Sequence, residues 1–224
     1  MTSPVLLVLS GYAVVTDFSQ PIIGEGSNEP NDTFIKQIRD NSVSAVRSLR
    51  ELGVSDHRVA VAGHSYGGFM TANLLAHNLY ETPNGPENLF LAGIARSGAY
   101  NRSLTPFGFQ GEERTFWEAK ETYHSMSPFE KADKIKAPLL LIAGEEDTNV
   151  GTWPVQSVRL FQALQGTGGR SRLVMLPHEG HAYVSRESAL HVLYEMEAWL
   201  DKYVRNAEPP SPCGQSRKVL NKEK

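Results

Sequence analysis

Gly63-His64-Ser65-Tyr66-Gly67-Gly68 is the stretch of this chain best suited to chemistry. It follows a short apolar run, Arg58 to Ala62, and precedes a helix-like one, Phe69 to Leu79. Strand, sharp turn and helix with a serine between glycines is the setting of a nucleophile elbow, which stands a hydroxyl clear of the end of a sheet. A neutral hydroxyl is a weak nucleophile. It needs a histidine to take its proton and a carboxylate to hold that histidine and stabilise it once charged. Both follow in the chain: Leu139 to Ala143 runs into Gly144-Glu145-Glu146-Asp147, and Arg172 to Leu176 runs into Pro177-His178-Glu179-Gly180-His181. Functional groups on a parallel sheet collect where its strands end, and the order Ser, Asp, His is the one such an elbow uses. Asp147 is preferred to Glu145 and Glu146 because it lies farther round the turn; its structural alternative is a turn cap before Val150. His181 is preferred to His178 because Gly180 lets its loop approach closely and because it leads into the last helix. His178 is expected to bond locally, and His57, His64, His77, His124 and His191 read as surface or packing residues. The backbone N–H of Tyr66, next after the serine, is the expected first donor to an oxyanion.

These groups need a sheet with helices to hold them. Tyr12 to Thr16 reads as a buried strand, followed by a Gly/Pro/Ser/Asn-rich loop from Ser19 to Asn31. Asn31 or Asp32 then caps a helix from Phe34 to Leu52, whose apolar residues recur mostly at three- and four-residue spacing and which Gly53 ends. The serine strand and its helix come next, then a Pro/Gly/Asn loop, a strand at Leu89 to Ala95 and an irregular stretch from Ser97 to about Thr115. Helical patterns cover Phe116 to Ser125, a short segment from Ser127-Pro128 to Ile135, Trp153 to Leu164, and Glu187 to Val204. Strands alternating with helices imply an α/β fold, a mostly parallel sheet with helices on both faces. Val5 to Leu9 reads either as a short extra strand or as the remnant of a helix.

Composition narrows the partners. The 224 residues are 40% hydrophobic and 21% charged, with a formal net charge of -3, so there is no overall basic field to draw nucleic acid or an anionic membrane. Cys213 is the sole cysteine, which excludes an intrachain disulfide and a cysteine-based metal site. Val5 to Val15 has no Lys or Arg before it and no small-residue cleavage pattern after it, and no apolar run approaches the ~20 residues of a membrane span. A soluble protein is expected, needing neither metal nor organic cofactor. Beyond Arg205 the chain turns polar, Pro-rich and then basic, the pattern of a disordered tail over residues 206–224 behind a domain of residues 1–205.

Several segments together resemble the prolyl oligopeptidase family of serine peptidases. They are Gly63 to Met70, Tyr123 to Pro128, Lys134 to Asp147, and His178-Glu179-Gly180-His181. Pro21 to Gly26, Thr71 to His77, and Ile94 to Arg102 with Leu104 to Gln110 are similar to its chloroplast-type glutamyl endopeptidase branch. The resemblance implies an α/β-hydrolase fold, with Ser65 as nucleophile, Asp147 as acid and His181 as base. It also implies peptide substrates and a chloroplast stroma or cytoplasmic setting. Ala143 stands where the family often has histidine, and Gly180-His181-Ala182 replaces a more usual Ser-His-Gly. Family members also carry an N-terminal β-propeller and first hydrolase strands, with a tyrosine that completes the oxyanion hole. This sequence has no counterpart of these, so an N-terminally truncated catalytic domain is expected. Likeness to the glutamyl branch implies cleavage after glutamate, which calls for a cationic pocket. Arg96 and Arg102 are the candidates, against an internal pairing with Glu112, Glu113 or Glu118. The rival functions are a small carboxylesterase using the same three residues and a catalytically impaired fragment.

Overall fold

The computed structural model describes residues 3–207 apart from Asp17 and Asn84. Four parallel strands make the main sheet: β1 (Ala60–His64), β4 (Ala92–Arg96), β5 (Leu139–Gly144) and β6 (Ser171–Leu176), in the order β1-β4-β5-β6. A separate antiparallel hairpin, β2 (Leu79–Thr82) and β3 (Gly85–Asn88), fills the segment read from sequence as a loop. Among the described residues five α-helices accompany the sheet: α1 (Phe34–Glu51), α2 (Tyr66–Ala76), α3 (Lys120–Met126), α4 (Pro154–Gly166) and α5 (Arg186–Leu200). The expected mostly parallel sheet with helices on both faces is therefore borne out.

Side-chain alternation along β5 explains how both faces are covered. Leu139 and Leu141 join α1, α2 and α4 in one core through Ile38, Phe69, Leu75 and Leu160, while Leu140 and Ile142 join α5 in the other through Val192 and Met196. Every residue of β4 and β5 is buried, as befits strands packed on both faces. β1 differs. It pairs with β4 on one side only, and its residues are half-buried or exposed. The strand that carries the serine is thus an edge of the sheet among the described residues.

At the N-terminal end one open reading is decided and one expectation is corrected. Of the two readings of Val5 to Leu9 the helical one holds, within a 3-10 helix, Pro4–Ser10, whereas Tyr12 to Thr16 is not a strand. Its apolar side chains are used differently: Tyr12 and Val14 pack against the α5 core, and the Tyr12 hydroxyl donates to Asp201 at 2.5 Å. The run thus gains its burial from side chains alone, without ladder hydrogen bonds. The helix expected over Phe116 to Ser125 also begins later than its pattern suggests, since α3 starts only at Lys120. The Glu187 to Val204 helix is α5 followed by one turn of π-helix, Asp201–Arg205. Except for Asn206 and Ala207, the expected tail lies outside the described residues. No helix among the described residues is long and apolar enough to cross a membrane.

Candidate active site

The ends of β1, β4, β5 and β6 meet at one side of the sheet. Four non-glycine described residues have positive φ, and three of them follow a strand here: Ser65 (φ 58°) after β1, Ser97 (43°) after β4 and His178 (59°) after β6. Such conformations cost of order 1–3 kcal/mol each and persist only where packing enforces them. At Ser65 the enforcement is visible. The Ser65 N–H donates to the Arg96 carbonyl at 2.8 Å, and Ser65 then serves as N-cap of α2. Gly63 lies so close to Gly67 that an added Cβ would come within 2.2 Å of the Gly67 carbonyl carbon, whereas a Cβ on Gly67 would meet open space. The strand and helix can therefore fold back on each other only because residue 63 has no side chain. Tyr66 is the first residue of α2, where backbone N–H groups have no partner within the helix.

Asp147 and His181 come together from two different loops. His181 Nδ1 lies 2.9 Å from Asp147 Oδ2, and the Asp147 side chain is fully buried while His181 is partly open. The Asn149 N–H donates to Asp147 Oδ1 at 3.0 Å, so the turn cap considered from sequence is present as well. Gly144 makes the juxtaposition possible: a Cβ there would sit 2.2 Å from the Glu179 carbonyl oxygen. The residues passed over in the sequence reading pair with each other outside. His178 Nδ1 is 3.1 Å from Glu146 Oε1, both side chains largely exposed.

Three neighbours went unread in the sequence, and a fourth, His64, was read only as a surface or packing residue. Thr152, fully buried, sets its hydroxyl 3.1 Å from both Asp147 Oδ2 and His181 Nδ1. The His64 ring packs on that of His181, centroids 4.9 Å apart, and edge-on to Tyr183. Burial, with the positive charges of Arg96 and His181, pulls the His64 pKa down to about 4, so it is neutral at pH 7. The Tyr183 hydroxyl donates to the Ile142 carbonyl at 3.1 Å and shares a 2.8 Å hydrogen bond with Ser97; burial pushes its pKa up to about 12. Glu179 braces the loop carrying His181 by accepting from the N–H groups of Val184 and Ser185 and from the Ser185 hydroxyl. No spacing pattern announces these contacts. Only Glu179, a carboxylate two residues before His181, carries a sequence hint.

His181 thus touches the residue next to Ser65, which places all three sequence candidates in one neighbourhood. Among the described residues the Ser65 hydroxyl makes no hydrogen bond, and no cluster of three His, Cys, Asp or Glu side chains could hold a metal ion.

The arginines lie beside this centre and are both buried. Arg96 ends β4 at 8% exposure, next to Tyr183. Arg102, at 1%, donates to the Gln110 side chain at 3.0 Å and to the Phe109 carbonyl, with its guanidinium against the rings of Phe69 (4.9 Å) and Phe109 (5.2 Å). No carboxylate among the described residues lies within ion-pair distance of it: Glu112 pairs with Arg114 at 2.9 Å, and Glu118 accepts from Thr115. Burial lowers the Arg102 pKa to about 10.

The model of the prolyl oligopeptidase family matches residues 36–207, the span that holds the whole constellation. The chain belongs to that family. It is 53% identical over 203 residues to "Probable glutamyl endopeptidase, chloroplastic" of Oryza sativa subsp. japonica and equally to the protein of that name from Arabidopsis thaliana. Each match covers 90% of this chain, which spans about a fifth of the relatives' length. Among solved structures, the acylaminoacyl peptidase of Pyrococcus horikoshii superposes with a TM-score of 0.63 at 24% identity, covering 81% of this chain and 30% of that one. A puromycin hydrolase gives 0.64 at 22%, covering 77% and 26%. These likenesses establish the α/β-hydrolase fold.

Proposed function

We propose that this prolyl oligopeptidase family chain is the catalytic part of a serine peptidase that works through an acyl-enzyme. In this reading Ser65 Oγ attacks the scissile carbonyl as His181 Nε2 takes its proton. Asp147 holds the Nδ1–H tautomer and stabilises the imidazolium, and the Tyr66 N–H bonds the developing oxyanion. His181 then returns the proton to the leaving amine, and water repeats the cycle to free the acid. The observation that supports it best is the 2.9 Å Asp147–His181 hydrogen bond, in a position where His181 packs on the neighbour of a serine held at φ 58°. Closure of the Ser65–His181 bond is assigned to the substrate complex, where catalytic hydrogen bonds tighten.

The substrate is a peptide cut after glutamate. Arg102 is the better placed of the two arginines, a buried guanidinium with no carboxylate partner among the described residues. A substrate carboxylate would supply the charge that Gln110 and the Phe109 carbonyl leave unbalanced. Arg96 is the alternative. The relatives' names support the glutamate preference and a chloroplast setting.

The test is labelling by a fluorophosphonate, followed by turnover of matched glutamyl and glutaminyl peptides. Ser65→Ala should abolish labelling, and Arg102→Met should remove the preference for Glu over Gln, a loss of about 10-fold or more. A folded chain that does not label at Ser65 sinks the peptidase reading; an unaltered preference in both Arg102→Met and Arg96→Met sinks the arginine pocket.

A further inference from the structure

Thr152 stands at a point where three polar groups need something in common. Its Oγ1 lies 3.1 Å from Asp147 Oδ2, 3.3 Å from Oδ1 and 3.1 Å from His181 Nδ1, and the Asn149 amide donates to it at 3.0 Å. A hydroxyl has one proton and two lone pairs, which fixes how these contacts are used. His181 Nδ1 must carry its proton to donate to Asp147 at 2.9 Å, so it cannot accept from Thr152. The threonine proton goes to the carboxylate, which is charged and, at 3.1 Å, nearer than the Asn149 carbonyl at 3.4 Å. One lone pair takes the Asn149 N–H, and the other faces the His181 Nδ1–H. That N–H is then shared between Asp147 Oδ2 and Thr152 Oγ1.

We infer that Thr152 is a positioning residue of the acid–base pair. It fixes the carboxylate by donation while sharing the imidazole N–H, and so holds His181 in the tautomer that leaves Nε2 free. The site is built for it: Thr152 and the Asp147 side chain are both fully buried, and residues 147–152 form a closed turn in which the Thr152 N–H donates to the Asn149 carbonyl at 3.1 Å. A buried carboxylate with fewer donors is costly, and an imidazole with one acceptor has more freedom to rotate. This inference rests on the peptidase reading above, because only there does His181 orientation set the reactivity of Ser65.

The experiment measures the second-order rate constant for fluorophosphonate labelling of Ser65 in the chain, in Thr152→Val, Thr152→Ser and Asp147→Asn, and in the double variant Asp147→Asn/Thr152→Val. Thr152→Val should label about 10-fold more slowly and Thr152→Ser nearly as fast as the parent, as loss and retention of one hydrogen bond to a charged group require. In the Asp147→Asn background the valine should add less than about 2-fold, since the two residues then act through one lost interaction. Parent-rate labelling by Thr152→Val, no rescue by serine, or a full valine effect without Asp147 would each overturn the inference. A parent that does not label would instead overturn the peptidase reading. The His181 Nδ1 proton resonance then carries the test: it should keep its downfield position in Thr152→Ser and move in Thr152→Ala. An identical resonance in both refutes the role of Thr152. The same comparison applies if the valine variant does not fold.

Discussion

At the scale of single residues, the two glycines around Ser65 do different work. Gly63 is compelled by contact, because a Cβ would drive into the Gly67 carbonyl carbon; Gly67 is not, because its Cβ would point into open space. Gly67 also lies in the first turn of α2, where alanine is favoured over glycine by up to about 1 kcal/mol. Gly63→Ala should therefore yield insoluble or strongly destabilised protein, and Gly67→Ala should melt within a few degrees of the parent, as followed by circular dichroism. Similar losses from both would show that the elbow is tight on each side. The sequence showed Ser65, Asp147 and His181 because each lies in a turn directly after an apolar run. Thr152 was invisible: it reaches the site through the fold of one turn, five residues beyond Asp147, and nothing in its neighbours' types demands a hydroxyl there.

At the scale of elements, the loop from β6 to α5 carries His181, the proposed base, and is held by one carboxylate. Burial alone would raise the Glu179 pKa, but hydrogen bonds from the Ser185 hydroxyl, the Val184 N–H and the Ser185 N–H outweigh it and bring it down to about 2. A carboxyl whose folded pKa lies below its usual 4.5 contributes stability that is complete above that value and fades as pH falls toward 2. Glu179→Gln should lower the melting temperature by several degrees at pH 7, with the gap to the parent narrowing from about pH 4.5 downward. A gap that is constant with pH would mean that the charge is not what braces the loop. Elements of strong periodicity, such as α1, were legible in the sequence. Tyr12 to Thr16 and the β2–β3 hairpin were not, for opposite reasons. The first has the side chains of a strand but spends them on α5, and the second contains Gly85 and Pro86, which read as loop residues although they pair with Thr82 and Glu81.

At the scale of the molecule, strand order decides how firmly each element of the proposed site is anchored. β5, which leads to Asp147, has a strand on each side and is wholly buried; β1, which leads to Ser65, is an edge among the described residues. Sequence order says nothing of spatial order, so the peripheral place of the serine strand could be seen only in the folded chain. Amide hydrogen exchange should follow the same gradient, with β5 exchanging at the rate of global unfolding and β1 faster. Equal protection of both strands would mean that another element covers β1 in solution.

The backbone contact between Gly144 and Glu179 bears on how such chains age in evolution. It joins the turn of Asp147 to the loop of His181 whatever side chains those segments carry, so packing demands the glycine even where chemistry no longer matters. A descendant that had given up catalysis would be free to drift at Asp147 and His181 while still conserving Gly144 and Gly63. Among such sequences the two glycines would report a fold that is kept, and a retained pair of imidazole and carboxylate would report the proposed reaction.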